Sequence, residues 1–427
     1  MKFMRTIPLQ LFLIIAISIF AQSCVKDKVQ TTYTYLKPVY QSKETVWQNI
    51  KSAAPQPLQN TGKLFLYGKY IFINEVNKGV HIIDNSTPQL PKNIAFIAIP
   101  GNVDIAVKNN TLYADLFADM ATIDITNPAA SALKNISHNV FPERQYGNGF
   151  LPDSTKYIVD WLKVETTNKT DLDINKASGG IVFYFQTAMY NNSSLTAASA
   201  AAVVGISGSM SRFTIINNYL YTVGNASLTA FDITSPNEPV KKQVQNLGWN
   251  IETIYPLKDK LFIGSQTGML IYTITDPANP ILAGSFAHAC HGDPVIADDN
   301  YAYVTLRATE TASSCWGIVQ TDELDIVDIA SLTQSTLVKT YNMEEPKGLC
   351  KDGNYLFVCD GKAGLKIFNA ANVMSLKQLK VITGINPFDV ICQGGLAIVV
   401  ANEGIFQYDY TDINNVRLLS KIAIKKN

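Results

Sequence analysis

Seven copies of one short phrase recur along this chain, and a tandem repeat restricts architecture more tightly than composition can. Each copy is an apolar stretch ending in Asp or a close substitute: Val80-His81-Ile82-Ile83-Asp84, Ala121-Thr122-Ile123-Asp124, Leu228-Thr229-Ala230-Phe231-Asp232, Leu270-Ile271-Tyr272-Thr273, Asp325-Ile326-Val327-Asp328, Lys366-Ile367-Phe368-Asn369 and Phe406-Gln407-Tyr408-Asp409. The markers lie 40 residues apart from Asp84 to Asp124, 41 from Asp232 to Thr273, 41 from Asp328 to Asn369 and 40 from Asn369 to Asp409. Two intervals are longer, 108 residues from Asp124 to Asp232 and 55 from Thr273 to Asp328, so insertions fall there.

Within each unit two apolar runs flank a short turn: Gly68-Lys69, Asn109-Asn110, Asn217-Asn218, Lys258-Asp259, Asp298-Asp299, Asp352-Gly353 and Gly394-Gly395. Asn and Gly tolerate the positive φ of tight hairpins, so each unit opens with a hairpin. The marker leads into Ile-Thr-x-Pro at Asp124-Ile125-Thr126-Asn127-Pro128 and Asp232-Ile233-Thr234-Ser235-Pro236, where the carboxylate can accept backbone N–H groups and Pro stops the strand. A fourth strand then fits before the next unit. Four antiparallel strands per repeat of about 40 residues define an all-β fold, a β-propeller of seven four-stranded blades over 61–427. The alternative is eight blades, the extra one hidden between Glu143 and Met210, where Tyr157 to Val164 and Gly180 to Phe185 look like strands. The polar middle at 166–178 lacks the phrase, which favours a long decorated hairpin inserted around 143–209.

With 47% hydrophobic and 16% charged residues, the chain can bury a large core. Its 35 basic and 35 acidic residues cancel, which gives no cationic footprint for nucleic acid. At the N-terminus, Lys2 and Arg5 precede an apolar run at 9–20 and then Ala21-Gln22-Ser23-Cys24, the pattern of a cleaved export signal over 1–23. A Cys directly after the small residues resembles the lipobox of bacterial lipoproteins, which makes Cys24 the expected lipidation site and the membrane the expected partner of that lipid. The polar stretch 24–60 reads as a tether. Val25 after the Cys is compatible with an outer-membrane lipoprotein and leaves both faces of that membrane open.

Aligning the units on their turns brings Lys63, Asp104, Arg212, Thr253, Asp293, Lys347 and Asp389 to equivalent positions, near the start of the innermost strand. Read round a closed ring, no two neighbours share a sign. The structural reading, blades clamped by ion pairs at a channel mouth, outweighs a polar mouth in which these residues bind a ligand.

His288-Ala289-Cys290-His291-Gly292-Asp293 holds metal-ligand types, but adjacent strand residues point to opposite faces, so no metal is assigned. Cys290 is paired instead with Cys315, which lies in the long hairpin of the same blade; exported proteins retain such bonds. Cys350, Cys359 and Cys392 read as small core residues. Cys350 and Cys392 hold equivalent places in neighbouring blades, whose expected separation exceeds the roughly 7 Å Cα limit for bonding. His81 and His138 read as isolated structural residues. Gly205-Ile206-Ser207-Gly208-Ser209 lacks the strand–loop–helix context of a phosphate cradle, and no hydrolase or nucleotide motif is present, so no catalytic residue or cofactor is assigned.

The phrases Leu324-Asp325-Ile326-Val327-Asp328, Gly79-Val80-His81-Ile82-Ile83-Asp84-Asn85, Tyr301-Ala302-Tyr303-Val304-Thr305-Leu306-Arg307 and Gly364-Leu365-Lys366-Ile367 resemble the LVIVD-repeat lipoproteins of Bacteroidetes-type bacteria. The likeness spans about Tyr35 to the C-terminus and implies a lipid-anchored propeller. It supports the Cys290–Cys315 pairing, and Lys347 stands where that family commonly shows His. The expected function is a non-catalytic binding or scaffold module at the bacterial envelope, meeting a protein or glycan partner. The rival is an envelope hydrolase or lyase acting on glycans or peptides at the channel.

Overall fold

A computed structural model of the chain describes residues 28–142, 153–171, 206–248, 250–288, 294–308 and 322–425. Seven antiparallel blades of four strands follow one another at 61–98, 105–137, 213–246, 251–287, 295–342, 349–382 and 387–423, and the sheet of the first is extended by Ser52–Ala53 on one edge and Ile206–Ser207 on the other. These are blades 1 to 7. The first strand of each blade touches the first strands of both neighbours, and that of blade 7, Pro387–Gln393, returns to that of blade 1, Thr61–Tyr67. The first strands therefore form a closed inner ring, which leaves no place for an eighth blade. Tyr157 to Val164 does lie in a strand, Lys156–Asp171, but its partner is Lys28–Ser42 in a separate two-stranded sheet. Gly180 to Phe185 lies outside the described residues.

The span expected as a tether holds that Lys28–Ser42 strand and a short helix, Lys43–Asn49, capped by Ser42 Oγ, which accepts the Thr45 N–H at 3.2 Å. Val46 and Ile50 bury themselves in the same core as blades 1 and 2. Residues 28–39 and 160–171 form a compact unit of their own, distinct from the propeller. No described helix is long and apolar enough to cross a membrane.

The repeated phrase has a mechanical cause. It is the third strand of the blade, and its final Asp or Asn accepts the N–H two residues on: Asp84 from Ser86, Asp124 from Thr126 and Asp232 from Thr234, each at 2.9 Å. Asp328, Asn369 and Asp409 do the same with Ala330, Ala371 and Thr411. That bond turns the chain toward the fourth strand. Every third-to-fourth pairing also carries a register shift, so the outer strand bends away in all seven blades. The hairpin turns adopt the expected positive φ at Gly68, Asn109, Asn217, Lys258, Gly353 and Gly394.

The Pro that stops the strand has a second task the repeat does not advertise. Its carbonyl accepts the phenol of a Tyr from the preceding blade, Tyr113 to Pro236 and Tyr221 to Pro277, both at 2.8 Å. Buried apolar side chains then fill the gaps between blades, with Phe65, Phe72, Phe213, Phe231, Phe262 and Phe357 all fully enclosed.

Candidate functional site at the centre of the ring

Lys63, on the innermost strand of blade 1, is 6% exposed, and Asp104, at the head of blade 2, is 1% exposed. The Lys63 Nζ donates to Asp104 Oδ2 at 3.4 Å and also to the Met210 carbonyl oxygen. Asp104 further accepts the Ile105 N–H at 2.8 Å, the Arg212 N–H at 2.5 Å and the Ser211 hydroxyl at 3.3 Å. Burial pulls the Lys63 pKa down and pushes that of Asp104 up, while their mutual attraction opposes both shifts. Asp104 is set in place by a buried relay: Asn74 donates to Asn102, Asn102 donates to Asp115, and Asp115 Oδ1 accepts the Val103 and Asp104 N–H groups.

The other aligned positions serve differently. Arg212 sends its Nε to the Glu252 carbonyl at 3.4 Å. Thr253 is buried on the innermost strand of blade 4. Lys347 pairs with Glu345 at 2.8 Å and reaches Asn386 Oδ1 at 3.4 Å. Asp293, Cys290, Cys315 and Cys24 lie outside the described residues. Among the described members of the ring, alternating sign thus yields one direct ion pair, Lys63 with Asp104. Four described members, Lys63, Asp104, Thr253 and Asp389, are buried rather than standing at an open mouth.

Asp389 is the exception. It is fully buried on the innermost strand of blade 7, and neither carboxylate oxygen accepts a hydrogen bond of normal geometry. Loss of water pushes its pKa up to about 8; the adjacent Val390 N–H and the Lys63 ammonium offset only part of that cost. Its Oδ1 presses on Gly348, where an added Cβ would stand 2.7 Å from that oxygen and 2.9 Å from Ser209 Oγ.

The hub is closed by a segment that begins in the insertion expected around 143–209 and runs two residues past it. Residues 206–211 run through the centre of the ring. Ile206 and Ser207 pair with Leu66 and Phe65 on the innermost strand of blade 1. Ser209 Oγ accepts the Leu349 N–H of blade 6 at 2.7 Å. The Met210 carbonyl takes the Lys63 ammonium, Ser211 Oγ meets Asp104 of blade 2, and the Ser211 carbonyl accepts the Ile254 N–H of blade 4 at 2.7 Å. Six consecutive residues therefore bond to blades 1, 2, 4 and 6, and all of those named are buried. They form a plug.

The family model described as "LVIVD repeat" matches residues 60–94, the first three strands of blade 1 and the start of its fourth, and 318–343, which includes two strands of blade 5. The chain carries LVIVD repeats. Among solved structures, this LVIVD-repeat propeller is similar to a Lactobacillus plantarum protein at 11% identity, with a TM-score of 0.52 over 86% of this chain and 97% of that one. It is similar in the same way to the periplasmic gluconolactonase PpgL of Pseudomonas aeruginosa, at 10% identity and a TM-score of 0.51 over 85% and 97% of the two chains. At such identities the likeness is one of fold. No curated protein sequence matches the chain.

One expectation for the LVIVD-repeat propeller is overturned. Cys350 and Cys392 are joined by a disulfide, with their Cα atoms 6.0 Å apart. A spacing typical of packed sheets does not apply here, because innermost strands of adjacent blades converge toward the axis. Equivalent positions in consecutive repeats, 42 residues apart, were the signal. Cys359 stays a buried free thiol. The two His residues read as isolated have acidic neighbours: His81 Nε2 lies 3.0 Å from Glu75, and His138 Nδ1 lies 3.6 Å from Asp119. Asp119 also binds Lys43 at 3.0 Å and the Tyr157 hydroxyl at 2.5 Å, which ties the N-terminal helix and Tyr157 to blade 2.

Proposed function

We propose that this chain is an exported, lipid-anchored β-propeller acting as a non-catalytic binding or scaffold module at the bacterial envelope. The observation that carries the reading is the plug. The charged groups that could have met a ligand in the channel hold residues 206–211 in place, with Lys63 on the Met210 carbonyl and Asp104 on Ser211 and Arg212. A ring so closed offers its loops and outer faces to partners rather than its centre. The Cys350–Cys392 bond supports export, since such bonds persist in oxidising compartments. Lys2, Arg5, the apolar run and Cys24 support a lipid anchor, and Val25 is compatible with an outer-membrane address.

An enzyme acting at the channel finds one point of support, the buried acid Asp389, whose raised pKa suits a proton donor. It lies enclosed beside the plug. Cross-linking in intact cells, with mass spectrometry of the purified tagged protein, should return defined envelope proteins or glycans joined to loop and outer-strand residues. Turnover of envelope glycans or peptides by the purified chain, abolished by Asp389→Asn, would replace the scaffold with the hydrolase or lyase.

A further inference from the structure

We propose that residues 206–211 are a displaceable plug whose seating is coupled to a proton on Asp389. The acid stays neutral while the plug is seated and releases its proton to water when the plug leaves. Three observations meet here. The plug has a ladder only two residues long, against four to seven in most blade strands, and past Gly208 it is held by single contacts to Lys63, Asp104, Ile254 and Leu349. It rests beside Asp389, since Ser209 Oγ and Asp389 Oδ1 both crowd the same face of Gly348. And Asp389 is a fully buried carboxyl group with neither oxygen accepting a hydrogen bond of normal geometry, an arrangement tolerable for a neutral acid and costly for an anion.

The groups that face Asp389 explain the direction of coupling. Lys63 of blade 1 attracts its anion, Asp104 of blade 2 repels it, and the neutral Cys359 thiol of blade 6 lies within the field of Asp389, Lys347 and Asp360. In the seated state Lys63 is committed to Asp104 and to the Met210 carbonyl. Departure of the plug removes Met210 from Lys63 and Ser209 from Gly348. One ammonium hydrogen then becomes available to Asp389, and water can reach the carboxylate. Both changes stabilise the anion, so an ionised Asp389 favours the open hub and a protonated one favours the plug. The bond that breaks is the Asp389 O–H; its proton passes to solvent.

Hydrogen exchange read by mass spectrometry on the full-length protein tests this. After correction for the intrinsic pH dependence of exchange, protection of peptides covering 206–211 should fall by up to tenfold per pH unit between pH 6 and 8 and level off above. Peptides from the second and third strands of blade 6, in the same digest, should stay far better protected than the plug at every pH, since they open only with the whole propeller. Asp389→Asn should make protection of the plug independent of pH. A flat wild-type profile, plug peptides as well protected as those of blade 6, or an Asp389→Asn protein that keeps the wild-type slope would each overturn the proposal. The wild-type comparison within one digest decides the matter even if the variant fails to fold.

Discussion

Replacing Asp389 with Asn should stabilise the whole propeller, and increasingly so as pH rises. In the unfolded chain the carboxyl group ionises near 3.9, whereas burial without hydrogen-bond partners raises the folded value to about 8. A folded pKa above the unfolded one means that the native state holds the proton more tightly. The native state is then least penalised below about pH 4, and it loses about 1.4 kcal/mol per pH unit until pH passes about 8. Summed over that window the cost is on the order of 5 kcal/mol, large beside the total stability of most domains. An Asn side chain is isosteric and uncharged at every pH, so it removes the slope.

Other carboxylates act in the opposite sense and must be subtracted. Hydrogen bonds from the Thr126 and Thr234 N–H groups hold Asp124 and Asp232 below their ordinary values, and the Thr411 hydroxyl brings Asp409 to about 2. Their contributions are present above about pH 4 and are lost as pH falls through the lowered values. They are common to both proteins. The difference between Asp389→Asn and wild type in urea unfolding at pH 5, 6, 7 and 8 isolates the one group. It should widen by roughly 4 kcal/mol over that range. A difference constant to within about 1 kcal/mol would refute the reasoning, because the buried acid would then have found a donor or water that the geometry denies it.

Cys350→Ser with Cys392→Ser should cost about 4 kcal/mol in urea unfolding, the loop entropy of a cross-link spanning 42 residues; a loss below about 1 kcal/mol, or free thiols at both positions in the untreated protein, would count against the bond. Gly79→Ala should destabilise by at least about 2 kcal/mol, since φ is 146° there and the new Cβ would lie 2.0 Å from the Ile97 carbonyl oxygen; an unchanged melting temperature would show that the third and fourth strands can part without cost. Tyr113→Phe should cost about 1 kcal/mol through the lost bond to the Pro236 carbonyl, read by thermal unfolding. Cys24→Ser should move the protein from the membrane fraction to the soluble fraction, and continued retention would argue for a different anchor.

What the sequence makes legible is what local chemistry decides. The marker Asp announces its own turn because its carboxylate needs only the N–H two residues away, and Gly or Asn in the hairpin turns announces positive φ. Both depend on residues within one repeat. The centre of the ring depends on residues from four or more repeats at once, and there alignment ranks positions without giving depth. Lys63, Asp104 and Asp389 occupy equivalent places, yet one carboxylate is saturated with donors and the other accepts no hydrogen bond of normal geometry. The cause is the plug, which joins the hub after the longest gap in the repeat and bears no copy of the phrase. Cys350 and Cys392 were legible as equivalent positions, but the convergence of innermost strands that brings them within bonding distance is a property of the closed ring.

Each blade here takes all four of its principal strands from one contiguous stretch of chain, so no shared strand fastens the end of the ring to its beginning. The seam between blades 7 and 1 rests on a shared apolar core, in which Leu64, Ile71, Ile73 and Ile83 pack with Val390, Ile398 and Phe406, and on polar bonds: Asn85 and Gln407 exchange amide hydrogen bonds at 2.9 and 2.7 Å, Ser420 Oγ donates to the Pro88 carbonyl, and the Lys425 N–H reaches the Leu58 carbonyl. The polar bonds contribute about 1 kcal/mol each, so the shared apolar core supplies most of the closure. The disulfide between blades 6 and 7 and the plug bonded to blades 1, 2, 4 and 6 add fastenings from inside the ring, where one short segment can reach several blades. The same burial that lets the plug fasten the ring strips water from Asp389. Closure and the proton sensitivity of the hub therefore have one physical origin, and a substitution that unseats the plug should loosen the ring while returning Asp389 toward an ordinary carboxylate.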